Sequence, residues 1–317
     1  MVRILPAIAL IGAAASAAPD KPYHVVHGWP VLPATQAPDE VSAVAVDSHD
    51  HVFVLTRAGR KWPDTGPIDT TAIAGTTVSV YDGPSGRLLT KWPGSLFALP
   101  HGITVDSHDN VWITDVAWHQ VFEFNSAGRP LLTLGQRGVP GEDTAHFNQP
   151  SDVAVAADGS IYVSDGYGNN RVAKFDQRGR FLKQWGKKGS GAAEFDLPHA
   201  LALDARGRVY VVDRSNARIQ VFDSAGNRLT QWSAGLSSPQ DVKVSSNGLV
   251  FVANAGRPGV DSTGVVIFDS LGRFRARVGR FGNYDGQFWD LHWLALSKSG
   301  DLYTADFAGR RVQKFVR

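Results

Sequence analysis

The sequence predicts an all-β chain folded as a six-bladed β-propeller of four-stranded blades, and three observations carry that prediction. A unit of roughly 40 to 60 residues recurs six times, a period that suits a propeller blade better than a solenoid coil. Each unit holds short runs rich in β-branched and aromatic residues, divided by Gly, Asp, Asn and Ser turn signals. The sixth unit has only three such runs, and a fourth stands far away near the N-terminus.

Size and composition agree. The chain has 317 residues, 43% of them hydrophobic, enough to bury a large core in one all-β domain. Its net charge of +2 gives no strong pull towards nucleic acid or an anionic membrane. Cysteine is absent, which excludes disulfides and thiolate metal ligands. Residues 1–17 read as a signal peptide: Arg3, an apolar stretch from Ile4 to Gly12, then small residues with cleavage after Ala17. That stretch is too short to span a bilayer, so the expectation is a soluble propeller of residues 18–317, secreted or periplasmic and monomeric.

Blade 1 begins with Val44-Ala45-Val46-Asp47 and Val52-Phe53-Val54-Leu55. Blade 2 begins with Leu99-Pro100-His101-Gly102 and continues through Val111-Trp112-Ile113-Thr114-Asp115, Val121-Phe122 and Leu131-Leu132. Blades 3 and 4 follow the same plan from Asp152 to Trp185 and from Leu201 to Trp232. Blade 5 runs from Asp241 to Val278, and blade 6 from Leu294 to Phe315. Turns such as Asp158-Gly159, Arg206-Gly207, Asn247-Gly248 and Ser299-Gly300 close the first hairpin of their units. The missing outer strand of blade 6 is expected from Tyr23 to Trp29, with Trp29 aligned to Trp92, Trp185 and Trp232. Such closure removes two exposed sheet edges. Two insertions, Ala58 to Thr76 and Ala255 to Gly264, follow second strands and are expected to flank a site on one face.

One slot just before the innermost strand varies in a regular way. It holds His101, His199 and His292 in blades 2, 4 and 6, and Ser42, Ser151 and Gln240 in the blades between. Six slots form a ring, and alternate members stand a third of a turn apart. A single histidine beside a wet channel is usually just a hydrogen-bonding side chain. Three confined to alternate repeats instead make the trigonal nitrogen cap of a catalytic metal, with a fourth position open; without thiolate that set favours zinc.

The second strand usually ends in Asp (Asp115, Asp165, Asp213, Asp306), a recurrence that reads as turn capping. The residue after it is Arg57 in blade 1 and Arg214 in blade 4, which face each other across the ring. A guanidinium there grips a carboxylate with two parallel hydrogen bonds, or else pairs with a neighbouring blade's Asp. Tyr167, flanked by Gly166 and Gly168, interrupts the repeat beside this slot. Near a metal and arginines its phenol is expected to have a lowered pKa and to act as a base; the competing reading is packing on the channel rim. His119 and His146 have no repeat counterpart and read as turn or surface residues.

The segments Leu99-Pro100-His101-Gly102 through Phe122, Gln149-Pro150-Ser151 through Tyr167, and Leu197-Pro198-His199 through Arg214 resemble the peptidyl-α-hydroxyglycine α-amidating lyases, six-bladed propellers of the NHL-repeat type. The likeness covers nearly all of residues 18–317. It implies a zinc ion on His101, His199 and His292, a tyrosine base at Tyr167, and substrate arginines at Arg214 and Arg57. The implied reaction cleaves a peptide or small molecule ending in α-hydroxyglycine to an amide and glyoxylate. The family pattern has an aspartate after the third histidine, serving a structural calcium; Trp293 stands there and argues against calcium. Two other readings compete: a non-enzymatic NHL propeller that binds a peptide, glycan or protein, and a propeller lactonase or esterase with carboxylate-bound calcium. The first leaves alternate-blade histidines without a role, and the second wants carboxylates where this chain has imidazoles.

Overall fold

The computed structural model describes residues 21–32, 39–256 and 262–317. The expected signal segment, residues 1–17, lies outside them. Among the described residues the chain forms six four-stranded antiparallel sheets, one two-stranded parallel ladder of Arg280–Phe281 with Gln287–Phe288, and no helix. Five of the four-stranded sheets are meanders whose strands pair in sequence order from the inside outwards. The innermost strands are Val41–Val46, Pro100–Val105, Asp152–Val155, Pro198–Leu203, Pro239–Val244 and Leu291–Leu296. Their alternating small and branched apolar residues sit buried against neighbouring blades, while outer strands such as Phe181–Trp185 are largely exposed.

The sixth sheet is closed by the N-terminal strand His24–Val26, antiparallel to Arg311–Val316 with Val25 opposite Phe315. This strand is shorter than the expected Tyr23–Trp29, because the chain turns at residues 27–28. Trp29 still takes the expected place. Its indole lies under the turn glycine Gly86 of the next blade, as that of Trp92 lies under Gly128. A Cβ at either glycine would meet the indole at 2.7 Å, and both have φ above +70°. The outer tryptophans Trp29, Trp92, Trp185 and Trp232 therefore each fix the following blade's outer hairpin, and Leu134 does so beneath Gly179.

The histidine slot is not just before the innermost strand, as the repeat spacing suggests, but inside it. Pairing with the second strand shifts register at Pro198/Ala200, Pro239/Asp241, Val41/Ala43, Leu291/Trp293 and Pro100/Ile103. The slot residue is the extra residue of a β-bulge in these five blades, and bulges re-aim side chains. That local kink turns His101, His199 and His292 towards the channel.

Candidate active site

The three imidazoles meet at the centre of the propeller. Their ring centroids are 4.8, 5.0 and 5.1 Å apart, with planes at 84°, 85° and 81°. Each ring is buried and each Nδ1 faces a backbone carbonyl of the next blade: His101 to Ser151 at 2.7 Å, His199 to Gln240 at 2.6 Å, His292 to Ser42 at 2.6 Å. A carbonyl only accepts, so each Nδ1 carries the hydrogen and each Nε2 keeps a lone pair. The intervening slots Ser42, Ser151 and Gln240 thus orient the histidines through their main chain, a role the sequence comparison does not reveal.

Burial holds all three imidazoles neutral. It lowers His292 to about 3, and pulls His101 and His199 well below the ordinary histidine value. His292, Arg57 and Arg214 add to this for His101, and Arg214, His101 and His292 for His199. One ligand nitrogen from each residue lies within 4.8 Å of the others. The Tyr167 hydroxyl stands 2.9 Å from Nε2 of both His101 and His199. One phenolic proton cannot satisfy two ring nitrogens, so lone pairs are left facing one another at the centre. A bound cation removes that conflict. Three neutral nitrogens, no thiolate and one oxygen donor beside them form a set that zinc fits.

Tyr167 reaches this point because two close chain approaches place it there. A Cβ at Gly166 would collide with the Pro198 carbonyl, and one at Gly168 with the Asn148 side chain. Arg214 Nη1 donates to the Tyr167 oxygen at 3.4 Å. Arg57 is buried, donates from Nε to the Pro100 carbonyl at 3.3 Å, and lies 4.9 Å from the Phe307 ring centroid. The two arginines expected from the repeat therefore converge on the phenol. The expectation that its pKa is already lowered is corrected: burial raises it, and the opposing pull of Arg214 and Arg57 is smaller. The recurrent aspartates are turn caps, as expected. Asp115, for example, accepts from the backbone N–H groups of Ala98, Leu99, Ala117 and Trp118.

Two site residues escape repeat comparison. Trp62, in the Ala58 to Thr76 insertion, tilts against Tyr167 with centroids 4.8 Å apart and lies 5.7 Å from the Arg57 guanidinium. The insertion therefore flanks the site as expected; of the second, Ala255 to Gly264, residues 257–261 lie outside the described chain. Asp290 is half-buried, and burial raises its pKa against the pull of Arg214. A signal for it existed, since Asp290 stands where Leu99 and Leu197 precede the other two histidines. His119 and His146 stay away from the centre, His119 accepting from the Gln149 N–H and His146 facing Asp143. Asp47, His49 and His51 also cluster, on a surface hairpin where Asp47 caps its own turn.

At the position after the third histidine the Trp293 indole stands 5.5 to 6.0 Å from the three imidazoles and brings no carboxylate for calcium.

The NHL repeat profile matches residues 97–124, 147–175 and 195–222. The probable peptidyl-alpha-hydroxyglycine alpha-amidating lyase pgal-1 of Caenorhabditis elegans is 30% identical over 290 residues, covering 86% of this chain and 81% of that protein. The peptidyl-glycine alpha-amidating monooxygenase of Mus musculus is 34% identical over 306 residues; the match covers 88% of this chain but only 30% of that longer protein. Among solved structures, a gluconolactonase from Xanthomonas campestris superposes with a TM-score of 0.64 at 14% identity, over 88% of this chain and 86% of that one, a likeness of fold alone. Identity over most of the worm protein's length, with the repeat profile, shows that the chain belongs to the peptidyl-α-hydroxyglycine α-amidating lyase family.

Proposed function

We propose that this chain is a zinc-dependent carbon–nitrogen lyase that converts an N-acyl or peptidyl α-hydroxyglycine into the corresponding amide and glyoxylate. The observation that carries the reading is the meeting of three neutral, Nε2-exposed imidazoles with a phenol and two guanidinium groups. When bound, zinc supplies a Lewis acid that makes a hydroxyl oxygen more acidic. Tyr167, as phenolate, accepts the substrate hydroxyl proton, and Arg214 stabilises that phenolate beforehand. The O–H electrons form the glyoxylate carbonyl as the C–N bond breaks. Tyr167 returns the proton to the departing amide nitrogen, so no proton is gained or lost overall. Arg214 and Arg57 hold the glycine carboxylate by charge-assisted hydrogen bonds. Burial raises the Tyr167 pKa in the protein alone, and a cation held by the three imidazoles would supply the positive charge that lowers it. Residues 1–17 address this activity to the outside of the cell.

The test is glyoxylate release from α-hydroxyhippurate by zinc-loaded, chelated and zinc-restored protein. Activity that disappears with the chelator and returns with zinc supports the reading. Zinc-loaded, folded protein that releases no glyoxylate overturns it.

A further inference from the structure

Beneath the histidines the channel holds charges that the proposed reaction does not use. Asp152 and Asp241 follow the slot residues of blades 3 and 5, and both are fully buried. Two carboxylates buried this close together need a cation, protonation, or strong hydrogen bonding. Hydrogen bonds answer only part of that need. Asp241 accepts from the N–H groups of Val242 and Leu294, at 2.7 and 3.0 Å. Asp152 accepts from the Leu201 N–H at 3.0 Å with one oxygen, and the other oxygen has no partner among the described residues.

The cation is on the same strand. Lys243 Nζ donates to both carboxylate oxygens of Asp241, at 2.6 and 2.8 Å, and sits 5.2 Å from the Trp293 ring centroid. Its charge is also the largest pull opposing the burial of Asp152. The layer of inner-strand residues at this level is Ala45, Thr104, Ala154, Ala202, Lys243 and Ala295. Five of its six members are small, so the lysine side chain has the room. Thr104, Ala154, Ala202 and Lys243 line a cavity of about 200 Å³ at this end of the channel. Trp293 lies between that ammonium and the imidazoles, touching both.

We propose that the Lys243 ammonium is a tethered cation that balances one negative charge of the Asp152/Asp241 pair and closes the channel to divalent ions, and that removing it uncovers an oxygen-ligand site for calcium. Hard divalent cations are held by carboxylate oxygens, and these two carboxylates, one with an unpartnered oxygen, are that kind of donor. The protein then has no need of calcium for its fold, whatever reaction its histidines support. The inference does not depend on the lyase reading.

The test compares wild type with Lys243→Met, which keeps side-chain length and removes charge. Zinc-loaded protein is dialysed to equilibrium against 1 mM CaCl2, bound calcium is measured, and thermal melts are taken with and without calcium. Wild type is expected to bind no calcium and to melt at the same temperature in both buffers. Lys243→Met is expected to melt lower without calcium, to bind about one ion per chain, and to regain stability in calcium. Adding Asp241→Asn to that variant should abolish both binding and recovery. Stoichiometric calcium on the wild type overturns the proposal, as does a Lys243→Met protein indifferent to calcium. If Lys243→Met yields no folded protein in either buffer, the wild-type dialysis alone decides.

Discussion

The Tyr167 hydroxyl lies 2.9 Å from Nε2 of His199 and equally far from Nε2 of His101, so one phenolic proton faces two acceptor nitrogens. On the proposed reading the imidazoles are the ligands and the phenol is the base, so Tyr167 is dispensable for metal binding and necessary for proton transfer. Tyr167→Phe is therefore expected to keep about one zinc per chain. Its turnover of α-hydroxyhippurate is expected to fall by about 10²- to 10⁴-fold, the usual contribution of a positioned acid or base. Metal analysis and glyoxylate release on the same preparation check both halves.

His199→Ala separates the ligand role from the fold. Loss of one of three nitrogens leaves two, and zinc content should drop below about a tenth of an ion per chain. The Gln240 carbonyl also loses its donor in the buried interior. That costs about 1–3 kcal/mol in the metal-free protein, read from urea melts of stripped wild type and variant. A variant that retains zinc at wild-type level counts against the three-histidine site.

Comparison of the six repeats exposes whatever differs between otherwise equivalent positions. His101, His199, His292, Arg57, Arg214 and Tyr167 were legible for that reason, as were the blade count and the closing N-terminal strand. The β-bulge that aims the histidines was not, because a bulge changes pairing without changing the hydrophobic pattern. Nor were the carbonyls of Ser42, Ser151 and Gln240, since main-chain acceptors leave no mark on residue type. Trp62 belongs to an insertion with no counterpart in other blades, so its path over the site comes only from the structure. Lys243 was visible as the one charged residue in a layer of small ones, but its partner two residues away needed the strand's facing to be known.

Trp62 covers one side of Tyr167 and the Arg57 guanidinium, and on the proposed reading it walls the part of the substrate next to the reacting carbon. Trp62→Ala removes an apolar surface that binds ground state and transition state alike. KM should rise by about tenfold, or about 1.4 kcal/mol, with kcat changed far less. Steady-state kinetics on hydroxyglycines with aromatic and with small acyl groups check this, and the aromatic substrate should lose more. An equal fall in kcat for both would instead make Trp62 a residue that positions Tyr167.

Acid stability should be set by the outer hairpins. Each of blades 1 to 5 closes its third and fourth strands with Asp or Asn, two residues, then Gly or Ser, as in Asp176, Asp223 and Asp269. Burial pushes the Asp269 pKa up, but hydrogen bonds from Arg273, Leu271 and Arg275 outweigh it and bring it down to about 2. The unfolded chain holds this proton up to about pH 3.9, so between the two values it binds more protons than the folded state. Stability from Asp269 is therefore complete above about pH 4 and lost as pH falls through about 2. Asp269→Asn should be less stable by about 1–2 kcal/mol at pH 7, allowing for solvent screening of the exposed Arg273. The deficit should shrink below about pH 4 and be gone near pH 2. Urea melts of metal-stripped protein from pH 2 to 7 measure it without interference from zinc loss. A deficit that stays constant across that range would assign the effect to the turn's neutral hydrogen bonds instead of its charge.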